Sequence, residues 1–270
     1  MRTIAQISDL HFGHHDSRKA DDLVESLHAA SPDLVIASGD FTQRARQAEF
    51  AEACRFLDRL PQPKLVVPGN HDLPLFNLLR RFRRPLKHYH RYIAPHGPED
   101  DFFGDAEIAV LGLSTPRRLL RKGGRVSFEQ VDHIMRVFRA VPQGVFKAVV
   151  THHPLGSPEV EGKVTLAGRS GRALKALAEV DVHLLLSGHG HRPMSGSVRI
   201  ETDPERSVLV LHAGTAISTR TRGGYDNSYN LVRVDGDAVS IRVMAWSEAG
   251  FRAGETSDYR VEHGRWRKIR

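Results

Sequence analysis

The sequence predicts an α/β fold in which two mixed β-sheets pack face to face between outer layers of helices, a four-layer αββα sandwich. Three observations carry this expectation. Short apolar runs of strand length alternate with helical patterns through about residue 190. Beyond that point the pattern is strands alone. No linker, low-complexity stretch or fixed-period repeat divides the 270 residues, so 1–270 is read as one domain. Two stacked sheets account for the strand count better than one open sheet.

Taken in order, apolar and β-branched runs place strands at 3–8, 33–38, 64–68, 107–114, 146–151, 182–187, 207–213, 229–235 and 238–245. The turn "VDGDA" (234–238) joins the last two as a hairpin. Apolar residues at helical spacing place helices over 17–30, 45–60, 127–140 and 168–179. In the second of these, Phe50, Cys54, Leu57 and Leu60 share a face, which makes the lone cysteine a small buried hydrophobe rather than a reactive thiol. Between the third and fourth strands lies "LPLFNLLRRFRRPLKHYHRY" (73–92), where apolar and basic residues interleave and Pro85 breaks any continuous helix. Two readings compete there. Either the apolar side joins the core, or the segment lies on an anionic lipid surface.

Composition is that of an ordinary globular chain, 40% hydrophobic and 26% charged, which excludes disorder and fibre. The apolar runs are too short to cross a bilayer. The opening "MRTIAQISD" lacks the apolar stretch of a secretory signal, and a single cysteine allows no internal disulfide. A cytoplasmic location is expected, peripheral to the inner membrane face if 73–92 binds lipid. The net charge of +7 favours an anionic partner without choosing among phosphate substrates, nucleic acid and lipid.

Potential metal-binding side chains follow five of the strands. The first ends in Asp9 and His11, the second in Asp40, the third in Asn70, His71 and Asp72, the run "FKAVVTHHP" in His152 and His153, and "HLLLSGHGHRP" in His189 and His191. Strand carboxyl ends are where α/β sites form, and glycines 39, 69, 188 and 190 give the backbone room to turn there. Each motif alone fits an ordinary turn. Five in succession do not.

In this order the motifs Asp-x-His, Gly-Asp, Gly-Asn-His-Asp, His and Gly-His-x-His resemble those of the calcineurin-like metallophosphoesterases, and the "ISDLHFG" opening is similar to that of bacterial cyclic-nucleotide phosphodiesterases. The resemblance implies a site at the sheet edge in which Asp9, His11, Asp40 and His191 hold one metal. Asp40, Asn70, His152 and His189 would hold the other, with Asp40 bridging. The first histidine of "HHP" is the ligand in that family, which assigns His152 rather than His153. Phe41 and Gly190 stand at variable places of the pattern and remove no ligand.

The chemistry can also be argued from residue types. Two-metal sites clamp the attacking and leaving oxygens of an in-line displacement, with the ions about 3.5–4 Å apart, and one bridging carboxylate holds two dications that close. Two dications less the carboxylates of Asp9 and Asp40 leave two positive charges. A bridging hydroxide and a phosphodiester monoanion bring the total to zero. Nitrogen and oxygen donors without thiolate suit Mn, Fe or Zn and do not choose among them; the resemblance favours Mn or an Fe/Mn pair. His71, left without a metal, is the expected catalytic residue, protonating the leaving alkoxide. Asp72 either orients it or simply forms the turn.

The expected activity is hydrolysis of a small diester such as a 3',5'-cyclic nucleotide. A lipid-linked diester or pyrophosphate is the runner-up. Nuclease action has only the net charge in its favour, so nucleic acid is not the expected partner. A non-catalytic scaffold is disfavoured because all seven ligands and His71 are present.

Overall fold

In a computed structural model the chain is described over residues 1–98, 100–158, 164–201, 203–221 and 223–270. The strand β1 (Arg2–Ile7) is flanked by the parallel β2 (Leu34–Ala37) on one side and the antiparallel β10 (Ser228–Asp235) on the other. Adding β3 (Lys64–Val66), β11 (Ala238–Ser247), β12 (Gly250–Glu262) and β13 (Arg265–Lys268) gives a seven-stranded sheet, β13-β12-β11-β10-β1-β2-β3. A second sheet of six strands runs β4-β5-β6-β7-β9-β8. Its members are β4 (Phe102–Gly104), β5 (Ile108–Leu113), β6 (Phe146–Thr151), β7 (Leu184–His191), β8 (Met194–Ile200) and β9 (Asp203–Gly214).

Ile4, Leu34, Ile36, Val110, Val150, Leu186, Leu209 and Val232 fill the space between the sheets. Because side chains alternate along a strand, the neighbours of these residues face outward and need helical cover. Ala5, Ile7, Val35 and Ala37 pack beneath α1 (Ser17–Ala30) and α2 (Gln47–Asp58). Ala109, Leu111, Val149 and Leu185 pack beneath α5 (Phe128–Arg139) and α6 (Ser170–Glu179). The architecture is therefore the expected αββα sandwich. Helix ends are capped from the sequence: Asp16 accepts from the N–H groups of Arg18 and Lys19, and Ser127 and Gln130 cap each other reciprocally.

Several elements differ from expectation. The strands β4, β8, β12 and β13 have no apolar run to announce them. β12, "GFRAGETSDYRVE", is held by ladders to β11 and β13 while most of its side chains meet solvent. Two short helices, α3 (Leu78–Arg83) and α4 (Lys87–Tyr92), sit on either side of Pro85. Tyr89 of α4 is buried against the first sheet's helical layer, whereas α3 is not: Leu78 and Leu79 are 61% and 65% exposed. The apolar side of 73–92 thus does not join the core at α3. Cys54 is only partly buried, since the inner face of α2 runs through Phe50, Ala53 and Leu57. Burial raises its thiol pKa, which disfavours the reactive thiolate. No helix among the described residues is long and apolar enough to cross a membrane.

Candidate metal centre

Beyond the ends of β1 and β2 the backbone continues as a short zipper: Asp9 N–H bonds to Gly39 O and His11 N–H to Asp40 O, both at 3.0 Å. To turn their side chains into one space, Asp9, His11, Asp40, His189 and His191 adopt left-handed φ values of 53°, 50°, 54°, 69° and 56°. Each such residue costs about 1–2 kcal/mol, and strain of this kind gathers where a site must be pre-formed. Gly39, at φ 97°, and Gly69 make the convergence possible; a Cβ on Gly69 would lie 2.1 Å from Asp40 Oδ1. Gly190 meets neither condition. The stretch "GHGH" is not a free loop but the bulged end of β7, where pairing with β9 shifts register between Ser187 and His191.

Two donor groups meet. In the first, His191 Nε2 is 3.2 Å from Asp9 Oδ1, His11 Nε2 is 3.7 Å from the same oxygen, and the two imidazole nitrogens are 3.3 Å apart. In the second, His152 Nε2 is 3.3 Å from Asp40 Oδ2, which is also 3.8 Å from His11 Nε2. Asp40 therefore stands between the groups. The rings of His152 and His189 are 5.2 Å apart, and the Oδ1 of buried Asn70 has no hydrogen-bond partner. Asp9 Oδ1 is likewise buried without one. Orphaned lone pairs of this kind cost free energy unless something electropositive takes them, so the donors fit divalent metal ions.

The remaining atoms of these side chains are tied down. Asp9 Oδ2 accepts from Ser8 Oγ (2.6 Å) and His189 N–H (3.0 Å). Asp40 Oδ1 accepts from His71 N–H (2.8 Å), and His152 Nδ1 donates to Ser38 O (2.8 Å). Such outer contacts fix tautomer and aim.

Burial works against an imidazolium at His152, but the neighbouring Asp40 carboxylate prevails and raises its pKa to about 9. Burial lowers His11 and His189 to about 4. Asp9 and Asp40 also feel burial as an upward push. The facing imidazoles, His191 for Asp9 and His152 for Asp40, outweigh it and hold both carboxyls below the usual range.

His71 sits half-buried beside His11, ring centroids 4.9 Å apart, and its Nδ1 donates to Gln43 O at 2.8 Å. Gln43, not Asp72, therefore orients it. Asp72 instead accepts from the backbone N–H groups of Phe41 (3.3 Å), Thr42 (3.0 Å) and Gly69 (2.8 Å), so the turn-forming reading holds for this residue. Burial and the negative charge of Asp40 push its pKa up to about 7. Asp72→Ala would orphan three buried donors at about 1–3 kcal/mol each. With partial relaxation, a loss of about 3 kcal/mol in denaturant stability is expected. An unchanged midpoint would show that the two loops do not depend on it.

The second histidine of "HHP", to which the resemblance assigns no metal, also belongs here. His153 is 1% exposed, its ring 4.6 Å from that of His189, with Nδ1 at 2.8 Å from Thr115 Oγ1 and Nε2 without a partner. Burial and the charge of His152 lower its pKa to about 2, so it stays neutral. The doubled histidine of "THHP" was the only local signal. Segment 218–230 braces the loop after β1: Thr219 N–H bonds to His14 O, and Asn227 Nδ2 to Ser218 O. Arg222 of that segment lies outside the described residues.

The model of the calcineurin-like phosphoesterases matches residues 2–193. A probable cyclic nucleotide phosphodiesterase of Synechococcus sp. is 25% identical over 208 residues, covering 70% of this chain and 73% of that one. A glycerophosphodiester phosphodiesterase of Enterobacter lignolyticus is 36% identical over 80 residues, which is 26% of this chain and 29% of that protein. Among solved structures, a purple acid phosphatase from yellow lupin (Lupinus luteus) superposes with a TM-score of 0.65 at 10% identity, over 94% of this chain and 53% of that one. A dimetal phosphatase from Danio rerio gives 0.63 at 13% identity, over 95% and 98%. This chain thus spans about half the length of the lupin phosphatase, and at such identities the likeness speaks for the fold.

Proposed function

The chain belongs to the calcineurin-like phosphoesterase family and is a metal-dependent phosphoric ester hydrolase, and from this premise we propose that it cleaves a small phosphodiester at a binuclear centre. The observation that carries the reading is the placement of the Asp40 carboxylate between His11 and His152, 3.8 Å and 3.3 Å away. Asp9, His11, Asp40 and His191 would hold one ion, and Asp40, Asn70, His152 and His189 the other. Divalent ions there would supply Lewis-acid stabilisation of the charge that builds on phosphorus oxygens and activate water at neutral pH. Nitrogen and oxygen donors without thiolate favour Mn, Fe or Zn.

The chain's own part in the reaction falls to His71. Because its Nδ1 donates to Gln43 O, the neutral ring keeps its lone pair on Nε2. When protonated, Nε2 has a proton to give to a departing alkoxide. The diester preference follows from charge, since a monoanion neutralises a centre carrying two carboxylates and one activated water. The names of the two curated relatives, a cyclic nucleotide and a glycerophosphodiester phosphodiesterase, support a diester.

The test is an Mn-supplemented screen of bis-p-nitrophenyl phosphate, cyclic AMP, a phosphomonoester and a lysophospholipid diester. Diesters should turn over faster than the monoester, and a chelator should abolish both activities. A monoester preference would overturn the diester reading.

Metal binding should also be proton-coupled. Metals need the neutral His152 Nε2, yet in the metal-free protein that nitrogen keeps its proton up to about pH 9. Affinity is therefore expected to climb about tenfold per pH unit up to that point and then level off. His11 and His189, already neutral above about pH 4, add nothing near pH 7. Calorimetry at pH 7 in two buffers of different ionisation enthalpy should register release of about one proton from His152, and a further one where a bound water ionises; identical heats would rule out a protonated His152.

A further inference from the structure

We propose that α3 and the loop at 117–122 form a membrane-docking surface that seats this protein on anionic lipid, with the metal centre opening toward the headgroups. Five large apolar side chains stand out from the surface there: Phe76, Leu78, Leu79, Phe82 and Leu119 are 74%, 61%, 65%, 43% and 76% exposed. A cluster of this size is uncommon on a surface that meets only water. The two segments are one unit because Arg81, itself 4% exposed, clamps them together. Its Nη1 donates to Pro74 O (3.0 Å), its Nε to Arg118 O (2.7 Å) and its Nη2 to Leu120 O (2.7 Å).

Charge selects the partner. Residues 73–98 and 114–128 together contain eleven Lys and Arg and no Asp or Glu. Arg83, Arg84, Arg118, Arg121 and Lys122 are exposed. Apolar side chains that insert, ringed by cations that stay at headgroup level, match an anionic bilayer. A second copy of the chain would set the same cations against one another, and a nucleic acid would leave the leucines in water.

The surface also borders the centre. His71 leads within five residues into Phe76, and on the other side Gly124 backs so closely on His153 that a Cβ there would lie 2.4 Å from its Nδ1. A phosphodiester in the headgroup layer would thus stand at the mouth of the site. Docking is independent of the catalytic assignment; that docked lipid also supplies substrate rests on the phosphodiesterase reading above.

The experiment is co-flotation of the full chain with vesicles of phosphatidylcholine alone and with added phosphatidylglycerol, with bis-p-nitrophenyl phosphate hydrolysis measured on the same preparations. Wild type should float only with the anionic vesicles, and less as salt rises. The variant Arg83→Gln/Arg84→Gln/Arg118→Gln/Arg121→Gln should bind them about 100-fold less or weaker still. The variant Phe76→Ser/Leu79→Ser/Leu119→Ser should also lose flotation, and both should keep near-wild-type hydrolysis of the soluble diester, which shows that they fold. Wild type that hydrolyses the soluble diester but does not float overturns the docking surface. Concentration-dependent self-association, abolished by the serine variant in the absence of vesicle binding, overturns it in favour of a second copy. Flotation without diester hydrolysis leaves docking in place and removes the phosphodiesterase reading instead.

Discussion

Asp40→Asn is expected to strip both metal ions at once and to bring diester hydrolysis down to background. One carboxylate oxygen of Asp40 is occupied by the His71 N–H at 2.8 Å, and the other faces His152 and His11 at 3.3 Å and 3.8 Å. Asparagine would keep the first contact through its carbonyl and so preserve the loop. It would then present an amide NH2, which cannot bind a cation, at the point where the two donor groups meet. The variant also removes a negative charge from a buried pocket, so each ion meets greater repulsion from the other.

His11→Ala should behave differently, since His11 belongs to the group around Asp9 and its removal chiefly weakens one ion. Metal analysis of the two variants, dialysed in parallel, separates the cases. Two tightly held ions in Asp40→Asn would remove Asp40 from the bridging role. The same substitution relieves His152 of its carboxylate neighbour, so the imidazole pKa should fall from about 9, with only Asp9 and the Ser38 carbonyl left to oppose burial.

What the sequence made legible here was local. The apolar strands β1, β2 and β6 run within three residues into a polar motif and β7 ends in one, and the two signals together pick out the candidate donors that the fold brings near one another. The left-handed turn at Asp40 was foreshadowed only in part, by the preceding Gly39, and the one at Asp9 by no adjacent glycine. Their strain is held by a zipper between loops about thirty residues apart, a pairing no local pattern encodes.

What stayed hidden was decided by partners remote in sequence. Asp72 and Gln43 look interchangeable as orienters of His71 until the fold gives the carboxylate to three backbone N–H groups and the carbonyl to the imidazole. His153 reads as a duplicate of His152 until β5 brings Thr115 to its Nδ1. β12 is invisible because a solvated hairpin at a sheet margin has no apolar run to reveal it. The exposure of α3 stayed undecided for a related reason. Amphipathic spacing tells which residues share a face, but not whether that face looks inward.

His71→Ala is expected to lower kcat by about 10²–10⁴ while leaving metal content nearly unchanged, the span usual for losing a general acid. His71 touches the centre through its backbone N–H to Asp40, which alanine retains, and its ring only flanks His11 at 4.9 Å. The donors of both ions therefore stay in place, and what disappears is the Nε2 proton aimed by the Nδ1 bond to Gln43 O. Leaving groups distinguish this from a structural defect. A p-nitrophenolate departs with little need of a proton, whereas the alkoxide of a ribose or glycerol ester needs one, so the deficit should be small for bis-p-nitrophenyl phosphate and large for alkyl diesters. His71→Gln, which keeps a hydrogen-bond donor but has no titratable proton, should recover part of the loss for the aryl ester and almost none for the alkyl ester. Equal losses on both substrates would mean that His71 acts by holding charge or shape, and the proton would then have to come from solvent.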